Sequence, residues 1–105
     1  MKDIQEILRA LADPTRLAVF EAVAAAEEIS VSALVAPGGV SQPAISQHLK
    51  CLRDAGLVIE RRDGRLALYR ALPEGLESLY SWLNHYVKSP ERPKKIRTNA
   101  RRRAP

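Results

Sequence analysis

The chain has a single cysteine, Cys51, in 105 residues. No disulfide can form within it, which agrees with a reducing compartment. Aromatic residues make up only 5% of the sequence (Phe20, Tyr69, Tyr80, Trp82 and Tyr86), so any core must be aliphatic. The longest apolar runs are a few residues, too short for a membrane-crossing helix. The opening "MKDIQEIL" carries acids where a secretion signal needs an apolar stretch, and a cytoplasmic location is expected. Two histidines, one cysteine, no glycine-rich phosphate loop and no carboxylate pair with an orienting partner leave nothing to assemble a nucleophile and a base. An enzyme is not expected.

What is present is one small domain's worth of chain, 46% apolar and 28% charged. The net charge of +5 is unevenly placed. Residues 89–105 hold Arg92, Lys94, Lys95, Arg97, Arg101, Arg102 and Arg103 against Glu91, a net of +6, which leaves residues 1–88 at −1. Residues 1–88 are therefore expected to form the domain, and 89–105 a basic, disordered tail attracted to polyanions.

Helical spacing organises most of the domain. "KDIQEILRALA" sets Ile4, Ile7, Leu8 and Leu11 on one face. Asp13 is suited to cap a second helix with Pro14 in its first turn, and that helix is expected to turn Leu17, Phe20, Val23 and Ala24 inward. "SVSALVA" reads as a short third helix capped by Ser30 or Ser32, and Pro37-Gly38-Gly39 ends it. A fourth helix runs over 41–54, with Ser41 as cap, Pro43 in the first turn, Ile45, Leu49 and Leu52 as its apolar stripe, and Gly56 as its stop. "LVIERR" and "RLALYRAL" flank Asp63-Gly64 and read as a hairpin, with Arg61 on the face opposite Val58, Glu60 and Arg62. A last helix over about 74–87 carries Leu76, Leu79, Leu83 and Tyr86 on its apolar side. The expected fold is mainly α with a β-hairpin wing: five helices and two strands in the order α-α-α-α-β-β-α.

The fourth helix carries chemistry. At 100° per residue, Pro43, Ser46, Gln47 and Lys50 point away from the apolar stripe. Serine and glutamine can donate to and accept from base edges, lysine can meet phosphate or guanine, and small residues permit close approach. The helix-turn-helix formed with the short helix before it would present this arc to a major groove. Ser41, Gln42, Pro43, Ser46, Gln47, His48 and Lys50 are the expected DNA contacts. Arg61, Arg62 and Arg65 are expected to reach adjacent backbone or minor groove from the wing. The alternative is a winged-helix protein-interaction module without sequence-specific DNA binding. Such a module would expose Leu, Phe or Met on this arc, where Ser, Gln and Lys stand.

The stretches "ALADPTRLAVF" (10–20), "SVSALV" (30–35), "SQPAISQHLKCLRDAGLV" (41–58) and "RRDGRLALYRAL" (61–72) together resemble the ArsR family of bacterial winged-helix repressors. The resemblance implies a homodimer, paired through the first and last helices, that binds a palindromic operator on double-stranded DNA. The dimer residues it implies are Ile4, Ile7, Leu8 and Leu11 of the first helix with Leu79, Trp82, Leu83 and Tyr86 of the last. "YSWLNHYV" is similar to the last helix of the branch without metal sites. Metal-sensing members carry Cys-x-Cys where Ser30 and Ser32 stand here, and neutral hydroxyls bind soft metals poorly. Zinc- and nickel-sensing members use Asp, His and Glu across paired last helices. Glu74, Glu77 and His85 are the candidates here, with Glu77 and His85 too far apart for one helix to chelate alone. Persulfide-sensing members need two cysteines, and Cys51 reads as a small core residue or as a thiol whose oxidation would disturb docking. No metal and no cofactor are expected, and no effector is assigned.

Overall fold

Two aspartates start the first two helices of the computed structural model, which describes residues 3–35 and 39–87. Asp3 Oδ1 accepts from the Glu6 amide at 2.9 Å and begins α1 (Ile4–Leu11). Asp13 Oδ2 accepts from the Arg16 amide at 2.9 Å and begins α2 (Pro14–Ala25), with Pro14 where an amide would have no partner. The Arg16 side chain then turns back to donate to the Ala10 and Arg9 carbonyls, closing the free end of α1. The short α3 (Val31–Val35) follows a two-residue strand β1 (Ile29–Ser30), and Ser30 Oγ accepts from the Ala33 amide.

The helix α4 (Gln42–Asp54) is bounded as its sequence dictates. Ser41 Oγ accepts from the Ala44 amide at 3.3 Å, and Pro43 lies in the first turn. At the other end Gly56 takes φ 79°, its amide meets the Arg53 carbonyl, and the Leu57 amide meets that of Leu52. This left-handed stop satisfies two carbonyls that would otherwise be left over. Strands β2 (Val58–Asp63) and β3 (Leu66–Ala71) form the wing, in register from Val58↔Ala71 to Asp63↔Leu66. The turn is therefore Gly64 and Arg65, with Asp63 as the last paired residue and Gly64 at φ 64°.

The fold matches the five-helix winged architecture expected, with one addition. β1 joins the hairpin on its far side, giving the order β1-β3-β2. The last helix is also shorter than the expected 74–87: Pro73–Leu76 form one 3₁₀ turn and α5 spans Glu77–Tyr86. The core gathers Ile7 of α1, Val19, Phe20 and Val23 of α2, Leu34 of α3, Ile45, Leu49 and Leu52 of α4, and Leu57, Val58 and Tyr69 beside the wing. Leu17 and Ala24, expected inward on α2, are exposed, and Val19 takes their place beside Phe20 and Val23. Among the described residues no helix is long and apolar enough to cross a membrane.

Candidate nucleic-acid interface

Burial of Ile45, Leu49 and Leu52 fixes the rotation of α4. Gln42, Pro43, Ser46, Gln47 and Lys50 are thereby left exposed. Ser41 is exposed as well, with its hydroxyl engaged as the helix cap. Lys50 Nζ lies 3.2 Å from Asp54 Oδ2 one turn on, a solvent-exposed pair that a phosphate could displace at little cost. His48 sits apart from this arc. It is half-buried, and its Nδ1 is enclosed with no hydrogen-bond partner among the described residues.

The wing's three arginines do not share a face. Arg61 points to the outer side of the sheet, where its Nε and Nη2 each donate to a Glu28 carboxylate oxygen at 2.8 Å. That hydrogen bond is the leading reason the Glu28 carboxyl is held below its ordinary range and the Arg61 guanidinium above its own. Arg61 thus ties β2 to the segment before β1. Arg62 lies on the other face, with Nε 3.2 Å from Glu60 Oε2. Arg65 is exposed at the turn. Ser46 of α4 and Arg62 and Arg65 of the wing line a groove of about 310 Å³ floored by Tyr69. Burial raises the pKa of the Tyr69 phenol, and the neighbouring Glu60 charge adds to the effect.

Two residues that the sequence reading did not name as contacts stand at the helix–wing joint, Arg53 and Glu60, paired at 2.9 Å. The helical signal was available for the first, since Arg53 follows Ser46 by seven residues and falls within about 20° of it on the helix. Nothing local marks Glu60 as its partner.

A second surface lies across α1 and α5. Ile7 is wholly buried in the chain's own core and has no area left for a partner, which removes it from the expected dimer set. Ile4, Leu11 and Leu79 are half-buried, whereas Leu8, Trp82, Leu83 and Tyr86 are exposed. The Trp82 and Tyr86 rings are 5.2 Å apart, and His85 meets Tyr86 edge-on at 5.0 Å.

The metal candidates do not gather: among the described residues no three His, Cys, Asp or Glu side chains converge. Ser30 Oγ and Ser32 Oγ are 3.3 Å apart and engaged with each other. Cys51 is half-buried at the edge of the core, beside a shallow hollow that Arg9 and Arg16 also line. The basic segment 89–105 lies outside the described residues.

A family model described as "Bacterial regulatory protein, arsR family" matches residues 13–60, from the cap of α2 to Glu60 of the wing. Curated relatives include a probable mercury resistance operon repressor of Streptomyces lividans, 48% identical over 61 residues, 58% of this chain and 48% of that one. An HTH-type transcriptional regulator of Mycobacterium tuberculosis is 41% identical over 78 residues, 74% of this chain and 72% of that protein. The match thus spans about half of the first relative and almost three quarters of the second. Among solved structures, an ArsR-like transcriptional regulator from Rhodococcus sp. RHA1 superposes with a TM-score of 0.70 at 33% identity, covering 78% of this chain and 76% of that one.

Proposed function

As a chain that belongs to the ArsR family, whose members matched here are named transcriptional regulators and repressors rather than enzymes, we propose that this protein is a homodimeric repressor of a palindromic operator. Each subunit lays α4 in a major groove and rests its wing on the flanking backbone. The observation that carries the reading is the exposed arc Pro43-Ser46-Gln47-Lys50, standing over a wholly buried Ile45-Leu49-Leu52 stripe. A solvated helix with no partner has no need of an outer face made of serine and glutamine, whereas base edges require donors and acceptors of that size. Selection of bound sequences from random duplexes tests it. A motif with dyad symmetry is expected, and absence of enrichment would remove both the operator and the two-fold arrangement.

Single substitutions separate reading from anchoring. Gln47→Ala and Ser46→Ala should each weaken operator binding by about 1–3 kcal/mol and leave random-duplex binding in place. Equal discrimination between operator and random DNA in both variants would take this arc out of the reading role. Arg65→Ala, by contrast, should lower affinity for all duplexes alike and reduce the salt slope by about one unit. A loss confined to one base position would show that the wing reads sequence. Arg61, held by Glu28, also fixes the wing.

Metals should not release the operator. Ser30 and Ser32 are neutral hydroxyls engaged with each other, Ser30 also accepting from the Ala33 amide, and they offer no thiolate to a soft ion. A releasing ligand must bind the free form better than the DNA-bound form, and it needs a site to supply the difference. Zinc, nickel, cadmium and arsenite at micromolar levels should leave operator affinity within about threefold, or about 0.7 kcal/mol. Titrations with each metal check this, and a tenfold loss with stoichiometric metal per dimer would overturn it.

A further inference from the structure

Glu60 occupies the joint between recognition helix and wing, on the strand face it shares with Val58 and Arg62 and opposite Tyr69 in the ladder. Its carboxylate is largely covered, with 19% of the side chain exposed, and both oxygens are in use. Oε1 accepts from Arg53 Nη1 at 2.9 Å, from the last turn of α4. Oε2 lies 3.2 Å from Arg62 Nε, on β2 itself. One acid thus spans two elements and holds a guanidinium from each.

Long-range electrostatics treats such an acid as a liability. Next to a polyanion every negative charge repels, so its removal should tighten binding to any DNA. The contact geometry argues the reverse. A guanidinium has five N–H donors in a fixed fork, and Glu60 takes one nitrogen from each arginine. Among the described residues no other partner meets the remaining nitrogens of Arg53 and Arg62, and the two side chains are 42% and 67% exposed. Arg53 lies on the Ser46 side of α4, and Ser46, Glu60 and Arg62 line one groove. Two long side chains that would otherwise lose their rotamer freedom on binding are already held in place.

We propose that Glu60 is a positioning residue that sets Arg53 and Arg62 as a two-guanidinium clamp for one backbone phosphate at the helix–wing joint, which makes Arg53 a DNA contact. The proposal rests on the DNA-binding reading above. Two guanidiniums against one carboxylate leave a net positive charge toward the groove, so the clamp remains attractive while the acid fixes its shape.

The sign of one substitution decides between the two views. Titration of the selected operator and of a random duplex with Glu60→Gln should give binding weaker by about tenfold on both, although the variant carries one more unit of net positive charge. Arg53→Ala should weaken both duplexes alike and lower the salt slope by about one unit. In a background of Arg53→Ala with Arg62→Ala, adding Glu60→Gln should cost nothing further. That background also removes folding as an explanation, because a merely destabilising change would persist in it. Equal or tighter binding by Glu60→Gln, or an undiminished loss in the doubly substituted background, would overturn the clamp while the DNA reading stands. Failure of the unaltered protein to retain any duplex would overturn both.

Discussion

Replacing Leu83 with aspartate should yield folded monomers that hold the operator at least about a hundredfold more weakly than the unaltered protein. Leu83 is 44% exposed on α5, and Trp82 at 43%, Tyr86 at 67% and Tyr80 at 70% accompany it, with Leu8 at 43% on α1. Single exposed apolar residues are ordinary, but four large ones along ten residues of helix form a patch of the kind that proteins cover. A two-fold interface brings the same patch of each subunit together, so one substitution enters it twice. Two unpaired carboxylates in an apolar contact cost several kcal/mol, enough to dissociate a dimer of ordinary stability. Within one subunit the same change meets solvent and should alter stability by no more than about 0.5 kcal/mol. Light scattering for mass, thermal melting for the fold and operator titration for function together isolate the effect. A dimer of Leu83→Asp at micromolar concentration, or a monomer of the unaltered chain, would refute the pairing through α5.

The helix α4 was fully legible because every signal that makes it is local. Ser41 caps it, Pro43 sits where its missing amide costs nothing, three apolar residues mark its inner side, and Gly56 takes the left-handed stop. The hairpin was legible for the same reason, although the turn fell one residue later than Asp63-Gly64 because Asp63 pairs with Leu66. β1 was not, since two residues are too few to display alternation and its existence depends on Leu68 and Tyr69, about forty positions away. The arginines divide likewise. Strand alternation separated Arg61 from Arg62, but only the folded chain reveals that Glu28 captures one and Glu60 the other. On α1 the periodicity gave an apolar face and could not say which part of it the chain's own core consumes, and Ile7 went to the core.

Replacing Gly75 with alanine should destabilise the domain by about 3 kcal/mol and lower its melting temperature by more than about 10 °C. The 3₁₀ turn Pro73–Leu76 carries Gly75 directly against the stop of α4. A Cβ there would overlap the Gly56 carbonyl oxygen, with the Gly56 carbonyl carbon at 3.0 Å and Leu57 Cα at 3.3 Å. All three neighbours are backbone, so no side chain can swing aside. Gly56 cannot retreat either, because its amide is bound to the Arg53 carbonyl at 2.9 Å in the left-handed conformation that ends the recognition helix. Leu57 beside it is wholly buried, donates to Leu52 and accepts from Leu72. The turn itself must therefore move, which strains the Leu72–Leu57 hydrogen bond and draws Leu76 and Leu79 off the core. Both leucines lie on the path that sets where α5 points, so operator affinity should fall with stability if α5 pairs the subunits. Gly64→Ala is the control. A Cβ at the wing tip meets nothing within 4 Å, and its cost is the left-handed φ of 64° alone, about 1 kcal/mol. Thermal melts of the two variants compare steric overlap with backbone strain. A Gly75→Ala melt within about 2 °C of the unaltered protein would mean that this contact does not constrain the fold.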